Sequence, residues 1–327
     1  MKSLRFILVI LLIVLAEELN AEVHLKTAIS TINDVKTCPT CAESKKFIPE
    51  CRLLVSPCIR QLISEIDKAL DEVFATRKPV ILYIHGRGNE PEKTFEERIL
   101  ETLEAEYGVK VLMLNWDSKA ADLRDRPIKE AHESAPYFQE VIKRLAQYRK
   151  SHPETKAINI SLLVHSMGNL VLRKAMDNFE LSSEKDPVFT NILLTSSDED
   201  AEEHNLWVEK LSASGTILIT INKHDATLRL SNHPNGKNPL GLSPKPPLAT
   251  NAYYLDLTGF VGKVHRIFTK DNQHDRVAIC EIFTAMLRGD KPNLEIAETI
   301  SRKEQGRIFI PIAKQDKNNS CFKAATN

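Results

Sequence analysis

The chain has 327 residues, 44 lysines and arginines against 44 aspartates and glutamates, and 42% hydrophobic residues. That length holds one large α/β domain with decorated ends or two small domains, and the balanced charge excludes the strongly basic footprint of a nucleic-acid-binding protein. The sequence also has no HExxH-type metal spacing and no glycine-rich phosphate loop, since Gly86-Arg87-Gly88-Asn89 is too short for a dinucleotide fingerprint.

The first elements are an address and a cysteine-bearing segment. A short basic start, MKSLR, precedes the apolar run from Phe6 to Ala16, which is too short to span a bilayer comfortably. Ala16 and Ala21 supply small residues at cleavage positions, so residues 1–21 read as a signal peptide and the protein as periplasmic or secreted. An uncleaved anchor is the competing reading. Lipid or membrane contact is compatible with export, but no segment announces it.

Export gives meaning to the six cysteines. Cys38, Cys41, Cys51 and Cys58 lie in an extension over residues 22–78, and Cys280 and Cys321 lie near the other end. An even count in an oxidising compartment reads as disulfides. Cys38-Pro-Thr-Cys41 has zinc-ligand spacing, but Cys51 and Cys58 are too far apart to complete a knuckle, and no metal or cofactor is expected.

Residues 58–75 place Leu62, Ile66, Leu70 and Phe74 at helical spacing, the pattern of an amphipathic helix laid on a core. From residue 79 the chain alternates. PVILYIHG, VKVLMLNW, AINISLLV, FTNILLTS, TILITIN and AYYLDL read as six strands. Helical patterns separate most of them: a first after Pro91, a second over 128–149, GNLVLRKAMDN and AEEHNLWVEKL, with DRVAICEIFTAMLRG last. Alternation of this kind predicts βαβ units, right-handed crossovers and a doubly wound, mostly parallel sheet with helices on both faces over residues 79–289. The stretch 231–251 carries five prolines and reads as a loop, and residues 290–327 as a polar tail with one further strand, RIFIPI.

In such sheets the reactive groups gather at the carboxyl ends of strands. Those ends carry His85-Gly86, Ser166, Asp198, Asp225 and then His265 and His274. The order Ser, Asp, His is that of the α/β-hydrolase triad. Ser166, in LLVHSMGNL, stands where a strand must turn sharply into a helix, and Gly168 follows two residues later. Taken alone, Ser166 reads equally well as a helix N-cap; the other strand-end residues favour a nucleophile. Asp225 is the expected acid with Asp198 as alternate, and His265 the expected base with His274 as alternate. The backbone N–H groups of Met167 and Arg87 are the expected oxyanion donors.

Four neighbours take supporting readings. His85 is expected to brace the oxyanion loop rather than react, Trp116 to be core, and His165 to face away from the site as packing. The loop over 226–251 is expected to gate substrate through Leu228, Leu230, Leu240 and Leu242. Val164 occupies the position two before the serine, where a small residue is usual, and it is expected to crowd the elbow.

YIHGRGN, LNWDS, LLVHSMGN, SSDED and INKHDATLRLS, followed by LDLTGFVGKVHRIF, together resemble the bacterial alpha/beta hydrolases of unknown function, over roughly residues 79–289. That family shows a Trp-Pro-Ser, an Ala before the His-Ser-Met-Gly and an Asn-Asp-x-Ala stretch; here Asp117, Val164 and Thr227 replace the Pro and the two Ala residues. The resemblance implies an α/β-hydrolase fold and serine hydrolase activity, and it names no substrate. The expected function is an exported, cofactor-free serine hydrolase cleaving an ester or related acyl bond through Ser166, His265 and Asp225. The alternatives are a weak or inactive binding protein on the same fold and a peptidase or amidase using the same triad.

Overall fold

The computed structural model describes residues 24–27, 66–88, 95–118, 125–177, 181, 186–231, 238–273, 277–294, 297–298 and 308–311. Residues 1–21, read above as a signal peptide, five of the six cysteines and His274 lie outside them. Six parallel strands form the centre: β2 (Val80–Ile84), β3 (Lys110–Asn115), β4 (Ile160–His165), β5 (Asn191–Thr195), β6 (Ile217–Ile221) and β7 (Tyr253–Asp256). Their spatial order is β3-β2-β4-β5-β6-β7. On the β3 side β1 (His24–Thr27) adds an antiparallel edge. On the other side β9 (Ile308–Pro311) pairs parallel with β7 and antiparallel with β8 (Ala297–Glu298), so RIFIPI does supply a strand.

The central strands are apolar runs rather than alternations because both faces are covered. Val80, Leu82 and Ile84 of β2 join one core layer, while Ile81 and Tyr83 join the other. The first layer is closed by α1 (66–75), α3 (Ile128–Ser151), α4 (Gly168–Ala175) and α5 (Asn205–Val208). The second is closed by α2 (Phe95–Tyr107) and α7 (Val277–Arg288). In α1, Ile66, Leu70, Val73 and Phe74 are buried in the first layer, so the stripe read from the sequence is a core face of the main domain.

Two local readings change. The pattern over 201–211 gives only a single turn of helix, α5, because the chain first makes a turn over 202–204 that carries Glu203 at φ +55°. The described part of the proline-rich loop, from residue 238 on, is held by backbone bonds. Leu240 N–H donates to the Glu199 carbonyl (2.7 Å), Gly241 N–H to Ser197 (2.9 Å) and Ala201 N–H to Asn238 (2.9 Å). Leu228 and Leu240 are fully buried core residues, which removes them as substrate contacts; Leu230 is exposed and Leu242 half-buried.

Candidate active site

β4 ends at His165 and α4 begins at Gly168, so the chain reverses within two residues. Ser166 at the apex takes φ +52°, a left-handed conformation that costs a non-glycine residue about 1–2 kcal/mol. Hydrogen bonds on both sides hold it there. Its N–H donates to the Thr195 carbonyl (3.1 Å), and its carbonyl accepts from Asp198 N–H (3.2 Å) and the Asn169 side-chain amide (2.9 Å).

The close approach at this turn falls on two glycines. A Cβ on Gly86 would lie 2.7 Å from the Ser166 Cβ, and one on Gly168 would lie 2.6 Å from the His85 carbonyl oxygen. Val164, which the sequence suggested would crowd the elbow, is part of the core face of β4. Its side chain is fully buried in the first core layer, one strand-pair from Ile84. Val164→Ala should therefore lower stability by about 2 kcal/mol through lost burial and a residual cavity. Thermal unfolding checks this, and a variant as stable as the parent would return the valine to the strained position first expected.

The turn after β2 is tied to the end of β3 by His85. The imidazole donates from Nδ1 to the Gly86 carbonyl (2.7 Å), and Nε2 accepts the Trp116 backbone N–H (3.2 Å) and lies 2.9 Å from the Asn115 side-chain oxygen. The Trp116 indole N–H donates to the His85 carbonyl (2.8 Å), and Gly88 N–H to the Ser118 carbonyl (3.2 Å). His85 thus braces a turn, and Trp116 is buried against it. Arg87, within that turn, extends its guanidinium to the Asp125 carbonyl. Among the described residues no carbonyl takes the backbone N–H of Arg87 or of Met167.

Asp225 follows β6 and is fully buried. Its Oδ1 accepts the N–H groups of Thr227 and Leu228, both at 3.0 Å, capping the short helix α6 (Ala226–Leu230). Its Oδ2 accepts from His265 Nδ1 at 2.8 Å. A ring nitrogen facing a carboxylate carries the proton, which leaves Nε2 of neutral His265 as an acceptor. The structure therefore joins the expected acid to the expected base. Among the described residues Ser166 Oγ has no hydrogen-bond partner, His265 included.

Two residues that the sequence did not single out hold the base. Asn222 donates from its amide to the carbonyls of Gly262 and Val264, both at 3.0 Å, fastening the loop before His265 to the end of β6. Ser196, at φ +45°, donates its hydroxyl to the His265 carbonyl (2.6 Å). A positive φ at a serine leaves no trace in the sequence, and an asparagine after a strand is too common to signal its partner.

Asp198 is committed elsewhere. Its carboxylate accepts from Ser231 Oγ (2.9 Å) and lies 3.6 Å from Arg126 Nε, while Arg126 Nη2 also donates to the Asp198 carbonyl (2.6 Å). Next to it, burial pushes the Glu199 carboxyl up to about 7, against the pull of Arg173 at 3.6 Å. His165 departs from its expected place. Rather than facing away, its ring lies 4.7 Å from the ring of His265 and packs edge-on against Phe268 at 5.1 Å.

The strand ends thus carry a left-handed serine and a buried carboxylate bonded to a half-buried imidazole. A family model for alpha/beta hydrolases of unknown function matches residues 63–241, more than half of the chain. The chain belongs to that family. This alpha/beta hydrolase matches its family across Ser166 and Asp225, and the match begins within the segment that carries α1. Among solved structures, the hyperthermophilic esterase of the archaeon Pyrobaculum calidifontis is 12% identical over 64% of this chain and 76% of its own, with a TM-score of 0.33. A monoclinic form of a Pyrobaculum calidifontis esterase is 13% identical over the same shares, also at 0.33. A mutant esterase is 16% identical over 54% and 56%, at 0.25. Likenesses at these scores decide nothing about this alpha/beta hydrolase. No functionally curated protein matches it.

Proposed function

We propose that the protein is an exported serine hydrolase that cleaves an ester or a related acyl bond. The observation that supports this reading most directly is the hydrogen bond between buried Asp225 and half-buried His265, at the same carboxyl end of the sheet as a left-handed Ser166. Ser166 Oγ attacks the acyl carbonyl as His265 Nε2 takes its proton, and Asp225 holds the resulting imidazolium. The oxyanion is received by the N–H groups of Met167 and Arg87. When the tetrahedral species collapses, the bond to the leaving oxygen breaks and that oxygen takes the proton from Nε2. The same nitrogen then deprotonates a water as it attacks the acyl carbon, and returns that proton to Ser166 Oγ as the bond between Oγ and the acyl group breaks and the acid leaves. Besides substrate and water, the steps use only groups of this chain.

A fluorophosphonate probe is the direct test, because it phosphonylates only an activated serine. Purified protein should be labelled at one site, located by peptide mass to Ser166. Absence of labelling with the fold intact would instead support a binding protein on a hydrolase frame. Comparison of ester and amide substrates then separates an esterase from an amidase.

Export and disulfides belong to the same proposal. The mature chain begins after residue 21, Cys38, Cys41, Cys51 and Cys58 pair among themselves, and Cys280 pairs with Cys321. Intact mass of the secreted protein without reduction should show loss of residues 1–21 and no alkylatable thiol. Stoichiometric zinc with alkylatable cysteines would replace the bridges by a metal site.

A further inference from the structure

His204 is fully buried in the turn before α5, and its two ring nitrogens meet different partners. Nδ1 lies 2.7 Å from the Ala201 carbonyl oxygen, and Nε2 lies 2.7 Å from the Tyr254 hydroxyl. A carbonyl only accepts, so Nδ1 carries a proton and donates it there. A neutral ring then leaves Nε2 as the acceptor for the hydrogen of the Tyr254 hydroxyl. That hydroxyl, on a fully buried side chain, accepts the Ala249 N–H at 2.9 Å. The run from Ala249 through Tyr254 and His204 to Ala201 closes a circuit. The turn after β5 that contains Ala201 also accepts the N–H groups of Leu240 and Gly241, at the carbonyls of Glu199 and Ser197. From the same turn Asp198 donates its N–H to the Ser166 carbonyl.

One added proton breaks this arrangement. Both nitrogens of an imidazolium donate, so Nε2 no longer accepts from Tyr254 and the hydroxyl hydrogen loses its acceptor. The ring also becomes a charge in a site closed to water, which is costly without an anionic partner. The titratable groups around it are Tyr254, on β7, and Glu209, at the end of α5. Burial, first, holds His204 below the usual histidine range, while the Ala201 carbonyl and the exposed Glu209 pull the other way. Glu209 is engaged by the same loop, since its Oε1 accepts the N–H and the hydroxyl of Thr250 at 2.9 and 3.0 Å.

We propose that His204 is an acid-sensitive latch: its neutral ring, through Tyr254, fastens the loop at Ala249 to the turn after β5, and a proton on Nε2 opens that fastening while the sheet stays folded. The proposal does not depend on the serine hydrolase reading. The open form takes up its proton near the ordinary histidine value of about 6.5, and the closed form only below it. The latch therefore has its full strength above about pH 6.5 and loses it as the pH falls toward the closed-form value. Opening that takes up one proton becomes about tenfold more favourable for each pH unit in that window.

The test is amide hydrogen exchange of the purified protein, read by NMR and corrected for the intrinsic effect of pH on exchange. Protection at Ala249 should fall by about tenfold between about pH 6 and pH 5, while the amides of β4 and β5 keep theirs. His204→Gln cannot titrate and can still present an acceptor oxygen to Tyr254. In that variant Ala249 should show the same protection at both pH values. Protection at Ala249 that is flat in the parent, or that falls equally in His204→Gln, overturns the proposal. A fall shared by β4 and β5 overturns it too, since the event is then unfolding of the whole domain. Should the Gln variant fail to fold, the ¹⁵N ring resonances of His204 in the parent decide. A ring that stays neutral for as long as Ala249 is protected supports the latch, and a protonated ring beside a protected Ala249 overturns it.

Discussion

Ser166→Ala is expected to abolish probe labelling and to lower ester hydrolysis by about 10⁴-fold or more, with thermal stability unchanged. The size of the loss follows from covalent catalysis: without Oγ no acyl-enzyme forms, and only general stabilisation of a direct water attack remains. The stability expectation follows from geometry. Alanine has the same Cβ as serine, so the cost of φ +52° is the same, and Oγ has no hydrogen-bond partner among the described residues to lose. The N–H and carbonyl of residue 166 keep their bonds to Thr195, Asp198 and Asn169. Labelling that persists at the parental rate in the alanine protein would remove Ser166 from the mechanism.

Asp225→Asn should lower turnover by about 10⁴-fold while the fold survives, and the reason is the cap. Two backbone N–H groups point at Oδ1, so the amide oxygen of an asparagine must take that position and its NH₂ must take the place of Oδ2. The NH₂ then faces His265 Nδ1, which can only accept, and the ring proton moves to Nε2. The imidazole is left in the tautomer that cannot remove a proton from serine. Asp225→Ala should be slow as well and also less stable, by about 1 kcal/mol for the lost cap. His265→Ala should match the loss in Asp225→Asn or exceed it, whereas His274→Ala should leave most activity. Asp198→Asn leaves the His265 tautomer alone and should cost far less turnover. A profile in which Asp198 or His274 is the more damaging site, in steady-state assays on an activated ester, would reassign the acid or the base.

Hydrophobic pattern and chain order by themselves determined much of this protein. The six central strands were legible because a strand buried on both faces must be almost wholly apolar, and PVILYIHG or AINISLLV can be little else. The pairing of Asp225 with His265 was legible because a doubly wound sheet brings its strand ends to one edge, whatever the loops contain. The tertiary structure decided what depends on side-chain direction across strands. At the elbow it assigned the close contacts to Gly86 and Gly168 and placed Val164 in the core, a matter of which face each residue presents at the crossing. It buried Leu228 in α6, and Leu240 because backbone bonds join residues 238–241 to the turn after β5, a partner remote in sequence. It also set His165 against His265, a hundred residues away, because the ring that follows the parity of β4 meets the loop returning from β7. Period and order are local properties of a chain; which side chains meet depends on twist and packing between segments far apart in it.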